Sequence, residues 1–204
     1  MKTISTHIAS RISRRAFTLV ELMVATAVGV GLAGSVVLLM AQAATEQRNG
    51  FADMTVEERA YTLQAKITTC LRSMSANQGL TPNYSSGLYD ANGNLLGYQS
   101  VFVFSPTNGA YITGNINYNS ATGAVIYVPN VVNPSTQILW MSNSSTAVLT
   151  QFCFSTSFNL DGSQNSSLVN VLFKMNDNGF SQQNPINNPT SLYRNFSVQM
   201  RNDN

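Results

Sequence analysis

The stretch Arg14–Met40, RRAFTLVELMVATAVGVGLAGSVVLLM, decides the fold because it places a long apolar helix behind a basic start. After Glu21, no charged residue occurs from Leu22 to Ala44. As a helix, that run would be roughly 35 Å long at about 1.5 Å per residue, which is enough to span a bilayer. Because hydrocarbon disfavours an ionised carboxylate, we expect Glu21 to have a specific partner or purpose.

The charges that flank the apolar run predict how it lies in a membrane. Residues 1–16 carry four basic side chains and no acid, whereas acids dominate the flank after the apolar run. Basic residues favour the cytoplasmic side, so we expect the N-terminus in the cytoplasm and the C-terminal body outside. The basic residues are Lys2, Arg11, Arg14 and Arg15, and the acids are Glu46, Asp53, Glu57 and Glu58.

The composition of the remaining chain argues against two classes of function. Four of the 11 basic residues lie in residues 1–16, so the rest sets seven against 9 acids and carries a formal charge of −2. A chain with this balance has no excess of positive charge to bind the phosphates of nucleic acid, and DNA binding is not indicated. The one histidine, His7, also precedes the apolar run, so a chain starting near Phe17 has no imidazole for acid–base chemistry. We therefore expect no enzyme and no catalytic residue.

The residues RRAFTLVELMVA, Arg14–Ala25, carry a resemblance to a known family. They resemble the N-terminal signature of type IV pilins and type II secretion pseudopilins, in which Phe-Thr-Leu-x-Glu follows a basic leader and a small residue. The resemblance implies that prepilin peptidase cuts between Ala16 and Phe17 and that Phe17 is then N-methylated. Two departures are Ala16, where glycine is usual, and the lack of proline in GLAGSVVLLM, Gly31–Met40.

The resemblance also implies a role for Glu21. In a filament of this family the apolar helices bundle, and the Glu21 carboxylate would neutralise the N-terminal amine of a neighbouring subunit and set the axial register. Phe17 and Glu21 are four residues apart, so the pair could also form within one chain. The alternative is an interfacial acid at the start of an ordinary membrane anchor.

The helical pattern continues beyond the apolar run. Apolar residues recur at spacings of three, four and seven, which predicts one face of an amphipathic helix. Because no proline occurs before Pro82 and Gly79 is a stop signal, we expect one helix to about Asn77. A break near Asn49-Gly50 is the alternative. The predicted face consists of Phe51, Met54, Leu63, Ile67, Cys70, Leu71 and Met74.

After Gly79 the pattern changes to aromatic and β-branched runs separated by turn signals such as Asn92-Gly93 and Asp161-Gly162. We predict an α+β fold, in which an antiparallel sheet packs on the amphipathic half of the helix. The sequence does not specify the order of the strands in that sheet. The expected segments are a leader (1–16), a transmembrane or filament-core helix (17–44), its amphipathic half (45–78) and a β-rich extracytoplasmic head (79–204). The predicted strands begin near Gly97, Gly123, Thr136, Ala147, Ser167 and Leu192.

Two further stretches of the sequence indicate a subgroup within this family. RNFSVQMRN, Arg194–Asn202, and EERAYTLQAKITTCLRSM, Glu57–Met74, resemble PilW-like minor pilins and the J-type minor pseudopilin. They imply a structural subunit, a minor pilin, of a type IV pilus-like filament. A minor pseudopilin of a type II secretion system and a membrane-anchored periplasmic binding module are the alternatives.

The resemblance implies a set of partners and a location. The partners are other pilins or pseudopilins, prepilin peptidase/methyltransferase, the inner-membrane assembly platform and, before assembly, membrane lipid. The location is the bacterial inner membrane, with a single pass and a cytoplasmic N-terminus. After assembly it is the periplasm or a cell-surface filament.

Cys70 and Cys153 form a candidate disulfide, because both would lie outside the cytoplasm where disulfides persist. Alternation along the strand from Ala147 argues the other way: Cys153 points away from the apolar face, whereas Cys70 lies on the core face of the helix. Two buried free thiols are therefore the alternative. The predicted apolar face of that strand carries Val148, Phe152, Phe154 and Phe158, and the opposite face carries Leu149, Gln151 and Cys153.

No cofactor and no metal site are expected. NLDGSQN from Asn159 and YDANGN from Tyr89 cluster the oxygen ligands that calcium uses. Asp-Gly and Asn-Gly are also ordinary turn formers, so turns are the preferred interpretation and calcium in a head loop is the alternative.

Overall fold

A computed structural model describes residues 18–75, 81–107, 110–144, 147–177 and 191–201. Within these ranges the chain forms one helix and eight strands, which confirms the predicted α+β class. The helix is α1 (Leu19–Ser73). The strands are β1 (Asn83–Tyr89), β2 (Leu95–Thr107), β3 (Ala110–Asn119), β4 (Ala124–Val128), β5 (Ile138–Met141), β6 (Ala147–Phe158), β7 (Gln164–Asp177) and β8 (Ser191–Gln199).

The chain divides into two compact units, with the boundary between Gln47 and Arg48. In the first unit the described residues, 18–47, are exposed and, apart from Thr18, helical. The hydroxyls of Thr26 and Thr45 donate to backbone carbonyls one turn earlier, which allows polar side chains in an apolar helix. α1 passes through Gly29, Gly31 and Gly34 without a break.

The second unit, from Arg48 onward, is the β-rich body, which we call the head. The part of α1 in the head is continuous through Asn49-Gly50 and buries one face against the sheet. The predicted face was wrong at its start, because Phe51 is 61% exposed and Met54 is 68% exposed. Smaller residues at a spacing of four take their place, so the helix packs close to the sheet. The buried residues of α1 are Ala52, Val56, Ala60, Leu63, Ile67, Cys70 and Leu71.

The strands of the head form a curled antiparallel sheet in the order β5-β4-β3-β2-β6-β7-β8, with β1 paired to β2. The six predicted strands are present, but β1 and β3 were missed. Both contain Asn and Gly, which have low strand propensity. In β3, buried Asn115 donates a hydrogen bond from Nδ2 to Ser100 Oγ at 2.7 Å, so a neighbouring strand supplies the partner that sequence alone cannot show.

The predicted apolar face of β6 was wrong in part, because the strand contains a β-bulge. Leu149 pairs with Met175 and Gln151 pairs with Lys174, which leaves Thr150 as an extra residue. The extra residue shifts the alternation, so Leu149 joins Phe152 and Phe154 in the core and Val148 does not. Phe158, also predicted on this face, lies beyond a second irregularity and is exposed.

The end of α1 is tied to the sheet by backbone hydrogen bonds. The Ser75 N–H donates to the Phe104 carbonyl at 2.8 Å, and the Arg201 N–H donates to the Met74 carbonyl at 3.0 Å. These bonds explain why α1 ends at Ser73, before the predicted end at Asn77.

Two substitutions in α1 test the corrected helix face. Ile67 is fully buried, so Ile67→Ala should lower the free energy of unfolding of the head by about 2–5 kcal/mol. Met54→Ala removes a comparable apolar side chain from an exposed position and should cost less than about 0.5 kcal/mol. Urea unfolding of the full chain in detergent, followed by fluorescence of its one tryptophan, Trp140, measures both. A larger loss for Met54→Ala would contradict the described packing.

Candidate functional site

The start of α1 is a capping box built by Thr18 and Glu21. Thr18 N–H donates to Glu21 Oε2 at 2.9 Å, and Thr18 Oγ1–H donates to the same oxygen at 3.1 Å. In return, Glu21 N–H donates to Thr18 Oγ1 at 3.2 Å. These reciprocal bonds satisfy backbone groups that a helix leaves unpaired at its first turn. They stabilise the first turn of the helix and hold the Glu21 side chain against it.

The capping box leaves one oxygen of Glu21 open. Among the described residues, Oε2 takes both hydrogen bonds and Oε1 accepts none. A carboxylate can accept several hydrogen bonds, so Oε1 can bind a further cation or donor. Ala16 and Phe17, the predicted processing residues, lie outside the described residues, so their processing stays a prediction.

The surface behind Glu21 is apolar and uncovered in a single chain. Each of residues 18–47 is exposed. By its length and composition α1 is long and apolar enough to cross a membrane, and its apolar stretch is not buried within the chain. Soluble monomers rarely expose contiguous apolar surfaces of this size. The large exposed apolar residues include Leu19, Val20, Leu22, Met23, Val28, Leu32, Val37, Leu38 and Leu39.

The predicted disulfide between Cys70 and Cys153 was wrong, since both are buried free thiols. Cys70 belongs to the core between α1 and the sheet. Cys153 lies between Phe152 and Phe154, whose side chains point into that core, so its own side chain points to the opposite face. There it packs at Gly97, where an added Cβ would lie 3.0 Å from Cys153 Sγ and 2.8 Å from the Phe154 carbonyl oxygen. The sheet therefore separates the two thiols.

Burial also disfavours the thiolate form of both cysteines. Desolvation raises the pKa of Cys70 to about 12, although a hydrogen bond with the Tyr127 side chain acts in the opposite direction. Desolvation likewise raises the pKa of Cys153. Because the thiolate is the nucleophile, neither cysteine suits thiol chemistry at neutral pH.

The two oxygen-rich loops are organised as turns. Asp90 Oδ1 accepts hydrogen bonds from the backbone N–H groups of Asn92 and Asn94, each at 2.8 Å. The side-chain and backbone amides of Asn94 hold the pKa of Asp90 below its usual value. Asp161 Oδ1 accepts from the backbone N–H and hydroxyl of Ser163. In the part of the chain that the structure describes, no group of three or more His, Cys, Asp or Glu side chains could hold a metal ion.

Sequence reasoning found Glu21 but missed Thr18, its capping partner. The pattern Thr-x-x-Glu before an apolar run is the usual sequence signature of a capping box, so the signal was present. Comparisons with protein-family models, curated proteins and solved structures found no match.

Alkylation tests the state of the two thiols. Unfolded in urea without reductant, the protein should take up two iodoacetamide groups, whereas the folded protein should react much more slowly because both thiols are buried and protonated. Intact-mass spectrometry counts the adducts, and Cys70→Ser and Cys153→Ser, with one adduct each, are the controls. An unreduced protein that takes up no iodoacetamide would carry a disulfide and contradict this arrangement.

Proposed function

We propose that the chain is a structural subunit of a type IV pilus-like filament, a minor pilin rather than the abundant one. The observation that carries this proposal is the apolar surface of residues 18–47, none of which is covered in the single chain. The hydrophobic effect drives such a surface into a bilayer or against other apolar helices. A filament subunit needs both environments, the bilayer before assembly and neighbouring helices after it.

The Glu21 geometry supports the same proposal. An ion buried among apolar helices costs several kcal/mol unless it is paired. Among the described residues, Thr18 donates two hydrogen bonds to Glu21 Oε2 and no residue donates to Oε1, so this oxygen can accept a donor from another chain. We propose that the freed amine of Phe17 on a neighbouring subunit binds this second oxygen.

The family resemblance at Arg14–Ala25 supports the maturation steps of the proposal. Prepilin peptidase would cut between Ala16 and Phe17, and Phe17 would be N-methylated. The assembly platform of the inner membrane would then add the subunit to the filament, while the head would face the periplasm or cell surface. A minor pseudopilin of a type II secretion system would use the same helix and is the nearest alternative.

The mature N-terminus is the first test. Mass spectrometry of the protein purified from membranes should show a chain that begins with a methylated Phe17. An Ala16→Gly variant, which restores the usual small residue of the family, should give the same N-terminus. A chain that retains residues 1–16, or one cut after the apolar run, would overturn the proposal.

A pair of substitutions separates the charge of Glu21 from its capping role. Gln can replace Glu in a capping box, so Glu21→Gln should keep the first turn of α1 but remove the charge. We expect Glu21→Gln and Glu21→Ala each to reduce recovery of the subunit in sheared filaments at least tenfold. Glu46→Gln, which neutralises an acid at the other end of the apolar run, is the matched control and should assemble normally. Normal assembly of Glu21→Gln would show that the acid acts as a cap alone.

A further inference from the structure

A groove of about 450 Å³ lies in the head between α1 and the edge of the sheet formed by β4 and β5. Its volume falls in the range of small-molecule sites, roughly 300–1,000 Å³. Its wall is largely apolar and is formed by Cys70, Met74, Tyr127, Ile138 and Trp140.

A β-bulge sets Trp140 in this wall. Val125 pairs with Met141 and Ile126 pairs with Leu139, so Trp140 is the extra residue of the edge strand. Its ring stacks on Tyr127 with the centroids 5.1 Å apart and the planes 27° apart. The result is an aromatic wall of two rings.

Lys66 supplies the charge of the groove. Its Nζ donates a hydrogen bond to the Trp140 carbonyl at 3.1 Å, which satisfies the carbonyl of the bulge residue. An ammonium group has three donors, so this bond leaves two others. Among the described residues that line the groove, Lys66 is the one charged side chain, and no carboxylate faces it.

The bulge in β5 argues against pairing of another strand with this edge, since bulges disrupt such pairing. Lys66, on α1, already donates to the Trp140 carbonyl of the same strand. The groove therefore favours a small molecule over an extended peptide.

We propose that this groove binds a small aromatic carboxylate. Its ring packs on the wall formed by Tyr127 and Trp140, and its carboxylate accepts hydrogen bonds from the remaining donors of Lys66. Charge complementarity selects the anion, because the described residues that line the groove include one cation, Lys66, and no acid. The inference concerns the head alone and does not depend on filament assembly.

Titration of the full chain in detergent with 4-phenylbutyrate tests the proposal. Trp140 is the one tryptophan of the chain, so its fluorescence reports directly on the groove. We expect a saturable change and about fivefold weaker binding of the neutral 4-phenylbutanamide, since an exposed ion pair contributes up to about 1 kcal/mol. No saturable change with 4-phenylbutyrate would overturn the proposal.

Three variants locate the charge that the ligand recognises. Lys66→Met should bind the carboxylate and the amide equally, whereas Lys66→Arg should keep the preference for the carboxylate. Arg72→Met removes an exposed cation that does not line the groove and is the matched control. A preference that survives in Lys66→Met, or that is lost in Arg72→Met, would overturn the proposal. Thermal melting of each variant checks that the head remains folded.

Discussion

The apolar surface that α1 exposes from Leu22 to Ala44 is unfavourable in water, and this constraint dominates the N-terminal unit of the chain. The hydrophobic effect favours contact of this surface with other apolar material over contact with water. The polar groups at the start of α1 form hydrogen bonds with one another. Thr18 and Glu21 bind each other across the first turn of the helix, and among the described residues none binds the second oxygen of the Glu21 carboxylate.

The head has a core of its own, so its stability does not draw on the apolar run. The core is closed by α1 on one side and by aromatic residues of the sheet on the other. Phe152 and Phe173 lie on neighbouring strands with ring centroids 6.3 Å apart, and Phe154 meets Phe152 edge-on at 5.0 Å. Side chains of this size bury the largest apolar areas and are well suited to fixing one packing arrangement.

The sheet also determines the surroundings of the two cysteines and the shape of the groove. Cys70 and Cys153 lie on its opposite faces, so they act as small apolar residues rather than as a redox pair. At the β5 edge, one bulge places Trp140 on Tyr127 and directs its carbonyl toward Lys66. An irregularity of a single residue thus forms part of the wall of the groove beside Lys66.

The sequence by itself determined the long helix, the acid at its start and the six strands with strong aromatic and β-branched signals, because composition and periodicity are local properties. It could not determine which face of α1 is buried, since Ala52 and Ala60 carry a weaker signal than the exposed Phe51 and Met54. Nor could it place the bulges at Thr150 and Trp140, because the register of a strand depends on its neighbours. Only the tertiary structure decided these points, and with them the separation of the cysteines and the groove beside Lys66.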